Sequence, residues 1–168
     1  MTIAVMMGVS GSGKTTIAEG VAQREGWPLL EGDRFHPPAN IEKMSHGIPL
    51  TDEDRGPWLR AIAAEIDAMR ARGESAVVAC SALKRAYRDV LIGDRPDVVL
   101  VYLRGDKPLI AARMAARKGH FMPPALLDSQ FAALEEPGPD ERPVTVSVAP
   151  PPQAIVDAVV RQLQERAA

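Results

Sequence analysis

A single cysteine, Cys80, stands in a chain of 168 residues. It rules out an internal disulfide and a zinc site built from several thiolates, and it fits a reduced, cytoplasmic protein. Aromatic side chains are nearly as scarce, with two tryptophans, two tyrosines and three phenylalanines. The core must therefore be built from Val, Ile, Leu, Ala and Met. The phenylalanines, Phe35, Phe121 and Phe131, all fall in segments that read as loops or a lid. Neither sign of charge is in excess: 20 Lys and Arg oppose 22 Asp and Glu, for a formal net charge of −2. That balance argues against nucleic acid as the main partner, which calls for a clear basic surplus, but leaves room for a local small-anion site. The longest strongly apolar run, Ile3 to Met7, is too short for a bilayer span or a signal core, and no basic segment precedes it. A chain of this length buries enough surface to fold as one domain, expected over residues 1–168, without covalent or metal staples.

Extended and helical patterns alternate along the chain. Thr2–Met7 suits a buried parallel strand. Lys14–Glu25 carries Ile17, Ala18, Val21 and Ala22 at helical spacing and ends at Gly26, a C-terminal cap. A short strand follows at about Pro28–Glu31, and then Gly32–Leu50, rich in Pro, His, Gly and Asn, reads as a functional loop with room for one helical turn. Thr51–Asp54 is an acidic helix start, in which Pro57 is tolerated only inside the first turn. Leu59, Ile62, Ala63, Ile66 and Met69 continue that helix towards Gly73. Ser75–Cys80 and Val98–Leu103 read as strands, and Lys84–Ile92 and Pro108–Lys118 as helices. Gly119–Asp140 is irregular around a short helix near Ala125–Leu134, before a strand at Val144–Val148 and a terminal helix over Pro151–Arg166. Five strands alternating with helices predict an α/β fold, a parallel sheet with helices on both faces.

Gly8-Val9-Ser10-Gly11-Ser12-Gly13-Lys14-Thr15 matches G-x-x-x-x-G-K-[ST] at every position, between a strand and a helix. The glycines allow successive amides to point inward as an anion nest, and the helix start adds free first-turn N–H groups, with Thr16 among the residues at the nucleotide. Lys14 can reach the β- and γ-phosphates, and the Thr15 hydroxyl can hold Mg²⁺. The alternative is a glycine-rich turn that binds nothing. A switch GTPase is excluded by the lack of Asn-Lys-x-Asp and Asp-x-x-Gly, and no carboxylate ends the strand at Cys80-Ser81-Ala82. The combination fits an ATP-using small-molecule kinase.

Asp33 lies just beyond the second strand, where open α/β sheets gather ligands, and a carboxylate there can accept or orient the proton of an attacking hydroxyl. The competing reading makes Asp33 a turn or helix cap. His36, Lys43, Arg55, Lys84 and Arg88 would, if they converge with Asp33, supply donors for an anionic, hydroxyl-rich acceptor, the alternative for the basic cluster being a solvated helix face. Lys84 and Arg88 fall four apart on one expected helix face, which leaves Arg85 in solvent. Arg113 and Arg117, also four apart, precede Lys118-Gly119-His120-Phe121-Met122-Pro123, a hinged segment suited to excluding water and placing cations over the phosphates. A solvated basic helix end is the plainer alternative.

The chain resembles the gluconokinase family of the thermoresistant type, among P-loop small-molecule kinases. Besides the glycine loop, the resemblance is carried by Gly32-Asp-Arg-Phe-His-Pro37, Asn40-Ile-Glu-Lys-Met44, Gly47-Ile-Pro-Leu-Thr-Asp52 and Asp54-Arg-Gly-Pro-Trp-Leu59. Later segments are Cys80-Ser-Ala-Leu-Lys-Arg85, Tyr87-Arg-Asp89, Gly119-His-Phe-Met-Pro123, Ser129-Gln-Phe131 and Leu134-Glu135. The resemblance implies ATP-dependent phosphorylation of D-gluconate at its 6-hydroxyl, strand order 2-3-1-4-5, and a homodimer. It implies an acceptor region at about residues 33–58, with His120 also at the substrate, and a lid at about 119–140. Shikimate kinases share the expected fold, but their second Asp-x-Asp is here Glu31-Gly32-Asp33 and their triple glycine is Ser81-Ala-Leu-Lys84. Nucleoside monophosphate kinases and a non-catalytic nucleotide sensor are the other readings. A sensor needs neither Asp33 nor a lid.

Overall fold

The computed structural model describes residues 1–116 and 124–167. Strands β1 (Ile3–Met7), β2 (Leu29–Glu31), β3 (Ala76–Ala79), β4 (Val98–Arg104) and β5 (Val144–Ser147) form one sheet in the order β2-β3-β1-β4-β5. Every neighbouring pair is parallel, as the alternation of patterns predicts. Helices α1 (Lys14–Glu25), α2 (Pro38–Ser45), α3 (Asp52–Ala71), α4 (Arg85–Leu91), α5 (Lys107–Ala116) and α6 (Pro124–Ala133) lie in the connections, and α7 (Pro152–Ala167) follows the last strand.

Successive strand side chains point to opposite faces, so one strand feeds two cores. Ile3, Val5 and Met7 pack with Ile62 and Ile66 of α3 and Leu91 of α4. Ala4 and Met6 pack with Ile17 and Val21 of α1 and Ile155 and Val159 of α7. Burial of β1 on both sides explains its unbroken apolar run, the usual signature of a parallel strand between helices. Among the described residues, no helix is long and apolar enough to cross a membrane.

Three local expectations need correction. Gly32–Leu50 is more ordered than its composition suggests: a 3-10 helix spans Gly32–Phe35, and α2 has a proline in its first turn, where the missing N–H costs nothing. Pro57 lies in the second turn of α3, not the first, because the helix already begins at Asp52. Gly56 before it has no Cβ to collide with the proline ring, which eases the helical conformation at that step. Phe131 belongs to α6 and packs against the cluster of Val9, Leu83, Ile110 and Leu127 rather than standing on a loop tip. Phe121 lies outside the described residues.

Candidate active site

Because all strands run the same way, the loops after β1, β2 and β3 emerge along one edge of the sheet. With β3 between β1 and β2, the ends of those two strands stand roughly 10 Å apart, two inter-strand spacings. The glycine loop after β1 and Asp33 after β2 therefore face each other across the end of β3.

Gly13, in the left-handed region at φ 87°, caps α1 without any side-chain bond, and α1 has no acidic residue in its first turn. The first-turn amides and the positive end of the helix dipole stay open to an anion. Gly11 is also left-handed, and a Cβ there would come within 2.6 Å of the Met114 sulfur on α5. Lys14 donates from Nζ to the Gly8 carbonyl at 3.0 Å, which draws its ammonium back across the loop. Burial lowers its pKa, while Cys80, Asp33 and Glu31 oppose that shift. Burial pushes the Cys80 thiol up to about 12.

The Ser12 hydroxyl is buried with no hydrogen-bond partner among the described residues. An unsatisfied buried hydroxyl inside a nest of amides fits a phosphate oxygen. The other loop residues divide by role. Val9 sends its side chain into the α5–α6 cluster and offers its carbonyl to the Ser12 amide at 3.1 Å. Ser10 donates its amide to Gln130 Oε1 of α6 at 2.9 Å. Beside the loop opens a cavity of about 320 Å³, whose walls include Gly11, Gly13, Thr16, Arg113 and Ile155. Arg113 donates to the carbonyls of Ala149 (2.9 Å) and Pro150 (3.3 Å), which fixes its guanidinium against the β5–α7 turn.

Across the crevice, Trp58 donates from Nε1 to the Gly32 carbonyl at 2.7 Å. A Cβ at Gly32 would lie 2.7 Å from the Ala79 carbonyl, so only glycine lets β2 turn this close to β3. This clamp sets the position of Asp33. Asp33 lies in the first turn of the 3-10 helix, whose N-cap is Glu31 rather than Asp33. His36 stacks on Trp58, with ring centroids 4.3 Å apart and planes 13° from parallel. Burial lowers the His36 pKa, Asp33 opposes this, and Arg55 adds to it, so the imidazole is neutral at pH 7. Asn40 Nδ2 donates to the Asp54 carbonyl at 2.9 Å and also meets His36 Nδ1 at 3.2 Å. A donor-only nitrogen makes Nδ1 the acceptor, which leaves the proton on Nε2.

The acceptor-side cations are all engaged by acids at the start of α3. Arg55 donates to the Tyr87 hydroxyl at 3.2 Å and lies 4.0 Å from Asp52. Lys84 reaches Asp52 at 3.2 Å, and the Tyr87 hydroxyl also bonds Asp52. Both cations lie over the Tyr87 ring, at 5.6 and 5.7 Å from its centroid. Exposed pairs of this kind are weak, so an incoming carboxylate can compete for the cations.

Lys43 pairs with Asp54 at 2.8 Å, and Asp54 also completes a capping box with Thr51. The Lys43 and Thr51 bonds hold the Asp54 carboxyl down at about 2, against an ordinary 3.8. Its stabilising contribution is thus complete above the ordinary value and is lost as pH falls through about 2. In denaturant titrations from about pH 5 down to about pH 2, the wild type is expected to lose stability more steeply than Asp54→Asn. Parallel curves would remove Asp54 from the acid response.

Arg88 does not face the crevice. Its guanidinium forks onto Glu141 at 2.6 and 3.2 Å and donates to the carbonyls of Ala82 (3.0 Å) and Leu83 (3.1 Å), with 1% of the side chain exposed. The expected shared face with Lys84 fails because α4 begins only at Arg85, leaving Lys84 in extended backbone as its N-cap. Arg85 stays exposed and pairs with Asp140. Arg88 thus holds the loop that carries Lys84. Arg88→Ala strands the mostly enclosed Glu141 carboxylate, 9% of whose side chain is exposed, and the expected loss is about 3–5 kcal/mol of unfolding free energy in a denaturant titration. A change below about 1 kcal/mol would contradict the buried-pair reading.

Arg117 and His120 lie outside the described residues. Sequence reasoning missed Trp58, Asn40, Tyr87, Asp52 and Gln130 as parts of the site. Each stands inside a segment that carries the family resemblance, and that was the available signal.

Residues 3–137 match the AAA domain family. Gluconokinase from Gluconobacter oxydans is 48% identical over 160 residues, covering 95% of this chain and 90% of its own. Thermoresistant gluconokinase from Escherichia coli is 43% identical over 164 residues, with 97% and 94% covered. The chain belongs to the gluconokinase family. A solved gluconokinase from Sinorhizobium meliloti superposes with a TM-score of 0.87 at 48% identity, over 99% of this chain and 93% of that one.

Proposed function

We propose that the chain transfers the γ-phosphate of ATP to the 6-hydroxyl of D-gluconate, giving 6-phospho-D-gluconate and ADP. The observation that carries this reading is the convergence of Lys14 and Asp33 on one strand-end crevice, with Arg55 and Lys84 gathered around Tyr87 beside it. An anionic polyol needs a cationic clamp at one end and a carboxylate at its reacting hydroxyl, and the crevice supplies both.

In this reading the amides of Gly8–Thr15 cradle the phosphates, and the nucleoside occupies the cavity bounded by Thr16 and Arg113. Arg55 and Lys84 take the gluconate carboxylate, with His36 Nε2–H and Lys43 binding hydroxyls. Asp33 accepts the proton of the 6-hydroxyl as its oxygen bonds to the γ-phosphorus, and the bond from that phosphorus to the bridging oxygen breaks to release ADP. Lys14 steadies the charge on the transferring group. Arg117, just before the proposed lid of residues 119–140, and His120 within it close over the phosphates and acceptor and exclude water. The acceptor region is residues 33–58.

No group of three or more His, Cys, Asp or Glu suited to a metal occurs among the described residues. The Thr15 hydroxyl, together with phosphate oxygens and water, would hold Mg²⁺, which neutralises phosphate charge when bound. A cytoplasmic homodimer completes the proposal, resting on the family resemblance and the lone buried Cys80.

A coupled ADP-release assay with gluconate, shikimate, nucleoside monophosphates and no acceptor tests the function. Turnover with gluconate far above the other three rows is expected. Equal ADP release without acceptor would reduce the protein to an ATPase, and preference for shikimate or a nucleotide would reassign it.

A further inference from the structure

At the opposite pole of the sheet, β4 and β5 begin and α7 ends. A cavity of about 370 Å³ opens there, lined by Arg95, Pro96, Val98, Arg142 and Arg166. It is separated from the nucleotide loop by roughly 20 Å, the length of β4. Three guanidinium groups on one small concavity need explaining in a chain of net charge −2.

Arg95 is neutralised. It forks onto Asp67 at 2.7 and 2.8 Å and donates to the carbonyls of Val90 (3.0 Å) and Leu91 (3.4 Å), which fixes one wall of the cavity. Asp97, the other nearby carboxylate, is held by Arg70 at 2.6 Å. Arg142 and Arg166 have no acidic partner among the described residues. Arg166 instead feels Arg142 as a like charge, which adds to burial in lowering its pKa.

The backbone adds a second observation. Arg142 sits at φ 50° in the left-handed region, closing the 3-10 turn Pro139–Glu141. Glycine or asparagine occupies that conformation at less cost than arginine. Glu141 of the same turn is bolted to α4 through Arg88, so the turn holds Arg142 in place at the cavity. Two like charges brought together, without acids and partly at the expense of backbone comfort, are electrostatically incomplete.

We propose that this cavity is a binding site for a phosphate-bearing small anion, clamped between the Arg142 and Arg166 guanidiniums over the Pro96–Val98 floor. Guanidinium forks match phosphate oxygens in pairs, and a doubly charged anion balances the two unpaired arginines. The volume admits a ligand of hexose monophosphate size.

The test is isothermal titration calorimetry on the full chain, with the glycine loop saturated by a non-hydrolysable ATP analogue. The probes are inorganic pyrophosphate and a hexose monophosphate, with potassium chloride at matched ionic strength. One phosphate probe is expected to bind, with affinity falling at least about tenfold in the Arg142→Asn/Arg166→Gln double variant. Asparagine keeps the left-handed backbone, and unchanged turnover by the variant at saturating substrates shows that it has folded. Tighter binding of the hexose phosphate supports an organic ligand at the site, and tighter binding of pyrophosphate an inorganic one. Equal affinity in wild type and double variant, no binding of either probe, or a response reproduced by potassium chloride would each overturn the proposal.

Discussion

Lys14→Ala is expected to lower kcat for gluconate phosphorylation by roughly 10²- to 10³-fold or more, the range for deleting a pre-aimed charge at a transferring group. The ammonium is already inside the loop, 3.0 Å from the Gly8 carbonyl, and need not be recruited from solvent. Burial lowers its pKa, and Cys80, Asp33 and Glu31 act against that shift. Alanine removes that charge where negative charge shifts towards the leaving ADP. It also leaves the Gly8 carbonyl without its donor, at a cost of about 1–3 kcal/mol of stability. A coupled ADP-release assay beside a thermal melt separates the two effects. A folded variant with near-normal kcat would remove Lys14 from the transfer step.

The second large effect is expected from Asp33→Asn. The amide keeps the size and shape of the side chain but cannot take a proton, so kcat should fall by about 10²- to 10⁴-fold while ATP affinity changes little. The positioning clamp remains intact in the variant, since it runs through the Gly32 carbonyl and Trp58 rather than the carboxylate. One consequence can be read without any turnover. Asp33 raises the His36 pKa against burial, so the variant should titrate His36 at lower pH than the wild type in NMR. A stable variant with normal kcat would sink the proton-acceptor role. Lost stability with kcat intact would restore the capping reading.

The sequence by itself determined the features that depend on local pattern. The glycine loop at Gly8–Thr15 was legible because an anion nest needs particular residues at consecutive positions, and chain neighbours supply nearly all of its geometry. The parallel sheet followed from the alternation of short apolar runs with helical periodicity, and its strand order from the family resemblance. Asp33 could be singled out because strand ends collect ligands in any open α/β sheet.

Only the tertiary structure decided which cations face the crevice. Lys84, Arg85 and Arg88 look alike in sequence, yet one joins Arg55 around Tyr87, one pairs with Asp140 in the open, and one is buried on Glu141. Helical spacing could not sort them, because that depended on α4 beginning one residue after Lys84 and on acids more than fifty positions away. The same holds for Trp58 and Gly32, 26 positions apart, whose hydrogen bond sets the Asp33 turn. Contacts between residues distant in the chain leave no periodicity behind, so they appear only once packing has brought the elements together.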